Sequence, residues 1–261
     1  MTKHRLPQEL RPSIFLLRGV DTGSHSYLIR GDYKNALIDP GLDRTFSELQ
    51  KSLLVLGIKI RDIDVVINTH EHYDHMGGNR YFQNYALIAA HRFAAVKITV
   101  EDRYVTLYKS GDLNEPPPKV YLWLEDKCRL DLGNYVLDVI HTPGHTSGSI
   151  CIYEPGHKVL FTGDTVYAEG TLFYISESGS VGDYVNSIGR LATLKVDMIY
   201  PGHGSISKNL GDDMEKALVN AKMLLNEEKD VDIAHENSFP RSFQTESRDT
   251  LRHVRGNSPV L

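Results

Sequence analysis

The chain has 261 residues, 41% hydrophobic and 24% charged, and its 29 Lys and Arg against 34 Asp and Glu leave a net charge of −5. These proportions exclude wholesale disorder, supply enough apolar mass for a sizeable core, and make a poor non-specific binder of nucleic acid, without excluding a nuclease. Apolar runs such as residues 52–57 are far too short to cross a bilayer, and the charged opening MTKHRLPQELRPSIFLL lacks an export signal's apolar stretch.

A cytoplasmic setting is therefore expected, with Cys128 and Cys151 as reduced thiols in apolar surroundings. Residues 13–20, 25–30 and 35–39 are β-rich and separated by turn residues, the pattern of an antiparallel meander. Phe46, Leu49, Leu53 and Leu56 recur at helical spacing and stop at Gly57. The apolar run 64–68 reads as a buried strand and ends in THEHYDHMGGN; a further strand at 86–90 and a short helix follow. Residues 99–119 are irregular, with Gly111 and Pro116–Pro118, and form an inserted loop, either a solvated connector or a lid over a substrate.

Strands resume at 135–140, 149–153 and 158–161. Tyr184, Ile188, Leu191 and Leu194 mark a helix with Asp183 as its N-cap, and a strand at 198–200 leads into PGHG. Leu210, Met214, Ala217, Leu218, Ala221 and Leu224 give the clearest helical stripe, and periodicity is lost beyond Asp230. Interleaved strands and helices with no repeat and no linker indicate one α/β domain over residues 1–230, followed by a loosely packed or extended tail over 231–261.

Histidine is over-represented, with 12 copies, and His70, His72, Asp74 and His75 fall within six positions at the end of a strand. Chance gives such a cluster on the order of one time in a thousand, and imidazole with carboxylate on one loop suits a divalent metal. His145 in HTPGHTSGS, Asp164 in LFTGDT and His203 in YPGHG each follow a further strand. Seven ligands make two sites. His70, His72 and His145 supply three imidazoles to one ion, Asp74, His75 and His203 hold a second, and Asp164 bridges them. Two ions about 3.5–4 Å apart share a water and lower its pKa towards neutrality. A ligand set of nitrogen and oxygen without thiolate fits zinc first, then manganese or iron.

The order THEHYDHMGG, HTPGHT, FTGDT and PGHG resembles the metallo-β-lactamase superfamily and, within it, the hydrolases similar to glyoxalase II. The resemblance spans residues 14–229 and implies a four-layer αββα sandwich, two mixed sheets face to face with helices outside, and a site at one edge. All seven ligand positions match the family's pattern. Asp39, in a segment similar to the family's first hairpin, is then a supporting carboxylate rather than a ligand. His72 stands where flavodiiron proteins carry glutamate, which disfavours that redox branch. GDTVYAEGTLFYIS replaces the Gly-Cys-Gly-Arg-like sequence of glyoxalase II proper. Tyr167, three residues after Asp164, matches a tyrosine that points into the site of acyl-homoserine lactonases. The stretch from 163 to 204 also resembles β-lactamase-like endoribonucleases.

The activity these residues imply is hydrolysis of an activated carbonyl in a small molecule (thioester, lactone or ester) by a hydroxide bridging two metals. Asp74 and Tyr167 are the candidate catalytic residues, Tyr167 either donating to the oxyanion or simply packed. A phosphodiesterase or ribonuclease on the same two metals is the alternative, though no basic stripe is visible. A mononuclear iron sulfur dioxygenase is another, with two histidines and Asp164 as a facial triad. Glu71 and Tyr73, between the ligands, are expected to face away from the metals, and His141 to be structural. Oligomeric state is not written in the sequence; a homodimer is compatible with it.

Overall fold

A computed structural model describes residues 6–107, 119–171 and 175–238. Its first sheet runs in the order β1 (Gln8–Arg11), β2 (Ile14–Leu17), β3 (Ser26–Arg30), β4 (Asn35–Ile38), β5 (Val65–Asn68), β6 (Leu87–His91) and β7 (Leu122–Leu124). Pairing is antiparallel from β1 to β4 and parallel from β4 to β7, so the predicted meander opens a mixed sheet. The second sheet has the order β12 (Met198–Pro201), β11 (Val159–Gly163), β10 (Ile150–Glu154), β9 (Val136–His141) and β8 (Arg129–Asp131). Only its β11–β12 pair is parallel. The helices are α1 (Phe46–Val55), α2 (Tyr73–Met76), α3 (Arg92–Thr99), α4 (Val181–Leu191) and α5 (Leu210–Ser238).

Strand periodicity explains how these elements stack. Successive side chains of a strand point to opposite faces. On β3, Tyr27 and Ile29 enter the seam between the sheets with Ile152, Phe161 and Tyr200, while Leu28 faces outward with Phe46, Leu53 and Ile98. On β10, Ile150 and Ile152 face inward, while Cys151 faces outward with Ile188, Leu191 and Met214. Three apolar clusters thus form three seams: helices α1 and α3 on the first sheet, sheet on sheet, and the second sheet on α4 and the start of α5. This is the expected four-layer α/β sandwich. Each fully buried Leu, Ile or Phe in these seams contributes about 1.5–3 kcal/mol by leaving water.

Several local details differ from the sequence expectation. Strands β1, β7 and β8 were not foreseen, being only three or four residues long. The N-cap of α4 is Ser180, whose hydroxyl accepts from the Asp183 amide, so Asp183 lies in the first turn instead. Helix α5 continues past Asp230, where the sequence periodicity is lost, to Ser238. Residues 239–261 of that tail, and 108–118 of the inserted loop, lie outside the described residues. The compact unit that carries both sheets is Met1–Ala221, and a second unit is Lys222–Leu261. Among the described residues no helix is long and apolar enough to cross a membrane.

Candidate metal centre

Four strand ends converge on one edge of the sandwich. β5 ends at Asn68, and Thr69 and His70 lead through His72 into the single turn of α2, which carries Asp74 and His75. His145 sits between β9 and β10, Asp164 follows β11, and His203 follows β12. Backbone bonds lock these loops together, with the Ile150 amide on the Thr69 carbonyl at 2.8 Å and the Gly202 amide on the Gly163 carbonyl at 2.7 Å. A side chain at position 202 would crowd the cluster. A Cβ there would lie 2.5 Å from His75 Cε1 and 2.6 Å from Asp164 Oδ1.

All seven expected residues come together. Their donor atoms form three overlapping triplets, each within 4.8 Å: His70, His72 and His145; His70, His75 and Asp164; Asp74, His75 and His203. His145 Nε2 lies 3.0 Å from His72 Nδ1, and His203 Nε2 lies 3.0 Å from Asp74 Oδ2. Asp164 turns Oδ1 to His75 Nε2 at 3.2 Å and Oδ2 towards His145 Nε2 at 3.7 Å. Ligand atoms around a tetrahedral ion with bonds of about 2.0–2.1 Å stand about 3.3 Å apart, so these spacings fit shared cations. The tautomers fit as well. Asp39 Oδ2 accepts from Thr69 Oγ1 (2.7 Å) and from His75 Nδ1 (2.9 Å), and Thr69 Oγ1 is 3.1 Å from His70 Nδ1. Asp39, the expected supporting carboxylate, therefore binds Nδ1 of His75 directly and that of His70 through Thr69, which turns both Nε2 atoms towards the cluster. His70 Nε2 is buried with no hydrogen bond.

Charge points the same way. Burial, followed by repulsion from His75 and His72, pushes His70 well below the usual histidine range. Burial and His145 bring His72 down to about 4, so both rings are neutral donors at physiological pH. Burial disfavours charge on His75 too, but Asp164, Asp74 and Asp39 overcome it and hold that ring well above its ordinary value. Burial opposes ionisation of Asp164, yet His75, His70 and His145 outweigh it and hold the carboxyl well below its ordinary range. Three carboxylates around His75 thus draw positive charge into the cluster, a demand that a divalent cation would meet in place of the His75 proton.

The family model described as the metallo-beta-lactamase superfamily matches residues 19–203, a span from before β3 to the last of the seven residues. The chain belongs to the metallo-β-lactamase superfamily. It is 38% identical over 222 residues to a probable metallo-hydrolase of Methanocaldococcus jannaschii, covering 79% of this chain and 100% of that one. It is 32% identical over 198 residues to the acyl-coenzyme A thioesterase MBLAC2 of Gallus gallus (68% and 71% covered). It is 29% identical over 215 residues to a hydroxyacylglutathione hydrolase of Pelagibacter ubique (79% of each). Among solved structures, a metallo-beta-lactamase family protein of Thermus thermophilus superposes with a TM-score of 0.69 at 23% identity, over 84% of this chain and 82% of that one. The superfamily's fold implies divalent metal binding, and its relatives here are hydrolases.

Other residues of this superfamily member support the loops. Tyr167 is buried near Asp164, and burial followed by the Asp164 charge raises its phenol well above its ordinary pKa. Asp213 accepts from the Glu169 amide at 2.6 Å, so α5 pins the turn behind Tyr167. His25 had no assigned role from the sequence; it accepts from the Gly19 amide and bonds the Gly204 carbonyl at 3.0 Å, bracing the loop of His203. His141 is structural, bonding the Ser147 carbonyl at 3.0 Å, and its ring stacks on that of His91 at 3.8 Å. Of the inserted loop, Thr106 is buried and its carbonyl accepts from the Tyr73 amide at 2.8 Å, directly against the metal loop. Several of these contacts cross long sequence separations, 179 positions for His25 with Gly204 and 44 for Asp213 with Glu169, and no spacing rule announces those.

Proposed function

We propose that the chain is a two-metal hydrolase that cleaves the activated carbonyl of a small molecule, a thioester before a lactone or an ester. Asp164 carries the proposal: its two oxygens face different histidines, one beside the all-imidazole triplet and one beside the Asp74–His75–His203 triplet. Two divalent ions, most simply zinc, would supply a water of lowered pKa and a Lewis acid for the carbonyl. His70, His72 and His145 would hold the first, Asp74, His75 and His203 the second, and Asp164 both. Asp39, directly for His75 and through Thr69 for His70, would keep both rings in the ligating tautomer. Asp74, partly exposed at the site, would orient the attacking water, and the Tyr167 hydroxyl would donate to the oxyanion as charge develops there.

The thioester preference rests on two relatives whose names specify acyl-coenzyme A and hydroxyacylglutathione, each an acyl group on a thiol. Free Cys128 and Cys151 accord with a cytoplasmic setting, which belongs to the same proposal. The test is turnover of an acyl thioester, an acyl lactone and an aryl phosphodiester by the zinc-loaded chain, before and after chelation. The expected result is thioester hydrolysis that chelation abolishes and zinc restores. Preferential phosphodiester cleavage would overturn the substrate class.

A further inference from the structure

Glu71 lies between two proposed ligands, His70 and His72, yet its side chain is completely buried and turned away from them. Oε2 accepts from the Thr146 hydroxyl at 2.9 Å, and Thr146 immediately follows His145. Oε1 accepts from Lys97 Nζ on α3 at 2.7 Å and from the Ser178 hydroxyl, ahead of α4, at 3.1 Å. Lys97 also donates to the Ser147 hydroxyl. The β9–β10 loop closes so tightly over the carboxylate that a Cβ on Gly148 would lie 2.5 Å from Glu71 Oε2 and 2.6 Å from the Ala94 amide. One carboxylate thus joins the His70–His72 segment, the His145 loop, α3 and the approach to α4.

We infer that Glu71 is a positioning residue for the first metal: through Thr146 and Lys97 it fixes His145 relative to His70 and His72. The inference rests on the two-metal reading above. A carboxylate buried without water must be fully paired, and here four side chains pair it or its lysine. Its bonds end one residue from His145 on one side and begin one residue from His70 and His72 on the other. Nothing in the network touches Asp74 or His203 among the described contacts. Hydrogen-bond partners that orient metal ligands typically change affinity about 10- to 100-fold when removed. The expected effect is therefore lopsided, strong at one site and small at the other.

The test is a zinc titration of the whole chain against a chromophoric chelator, with thermal unfolding of the metal-free protein in parallel. Wild type should give two constants. Glu71→Gln should weaken one about 10- to 100-fold, and leave the other within about twofold. The weakened constant should be the one that His145→Ala abolishes and His203→Ala spares. Thr146→Val removes a single donor and keeps the Glu71–Lys97 pair, so it decides the matter if Glu71→Gln does not fold; it should weaken the same constant about tenfold. A merely structural role would lower the unfolding temperature and leave both constants at their wild-type values, which would overturn the inference. A wild type with one constant would refute the two-metal reading, and the same two variants would still decide whether Glu71 positions that ion's ligands.

Discussion

Replacing Gly202 with alanine tests whether the site's atoms are as crowded as their convergence requires. The backbone at 202 is not among the left-handed glycines, so the added methyl meets only a contact problem. It would lie 2.5 Å from His75 Cε1 and 2.6 Å from Asp164 Oδ1. Normal carbon contacts are about 3.5–4.0 Å, so something must move by about an ångström. The loop cannot simply retreat, because the His25 amide bonds the Gly202 carbonyl at 2.6 Å and the Gly202 amide bonds Gly163 at 2.7 Å. Overpacking of this kind costs about 1–3 kcal/mol. Metal affinity should fall about 10- to 100-fold if most of that cost lands on His75 and Asp164, at about 1.4 kcal/mol per tenfold. Zinc titration and urea unfolding of the metal-free chain measure both parts. Gly189→Ala is the control: no atom lies within 4 Å of its Cβ, so this exposed position in α4 should gain about 0.5–1 kcal/mol of stability. Wild-type zinc affinity and stability in Gly202→Ala would refute the crowded geometry.

Further predictions bear on the chemistry and on pH. Tyr167→Phe should retain its metal and its fold but lose roughly 10- to 1,000-fold in turnover, more in kcat than in KM, as one oxyanion donor is removed; an unchanged kcat on the best carbonyl substrate would make the phenol mere packing. Asp164→Ala should weaken both metals, whereas His203→Ala or Asp74→Ala should leave about one zinc per chain by elemental analysis. His91, held down to about 4 by burial and by His141, gives an acid-labile fold. The unfolded chain takes up that proton near 6.5 and the folded one only near 4. The stabilisation is therefore complete above about pH 6.5 and is lost as pH falls towards 4, at most about 3 kcal/mol. Urea midpoints of metal-free protein at about pH 4.5 and 7 should show that slope. His91→Asn, which keeps a cap acceptor for the Phe93 amide, should remove its share and leave the part that His70 and His72 contribute.

The sequence announced the site better than its supports, for a physical reason. Four of the donors crowd into six positions and the other three each follow a strand, so His70, His72, Asp74, His75, His145, Asp164 and His203 stood out as a group, and they do converge. The meander and helices α1, α3 and α4 were legible because one buried face imposes a period of two or about 3.6. Strands β7 and β8, three residues each, carry too little pattern to register. The end of α5, beyond Asp230, was not legible because the stretch NEEKDVD leading into it has no apolar stripe, although its residues include good helix formers. Glu71 was correctly read as facing away from the metals. What it faces, Thr146, Lys97 and Ser178, depends on contacts up to 107 positions apart, which no local spacing encodes.

The central claim is that seven side chains form two metal sites sharing Asp164. Its most direct test is the metal content of purified, zinc-reconstituted wild-type chain, measured per polypeptide by elemental analysis after removal of free ion. Two zinc ions per chain are predicted, falling to about one in His203→Ala. Saturation of the wild type at a single ion, above all a single iron with oxygen uptake, would contradict the two-metal hydrolase and favour a mononuclear dioxygenase.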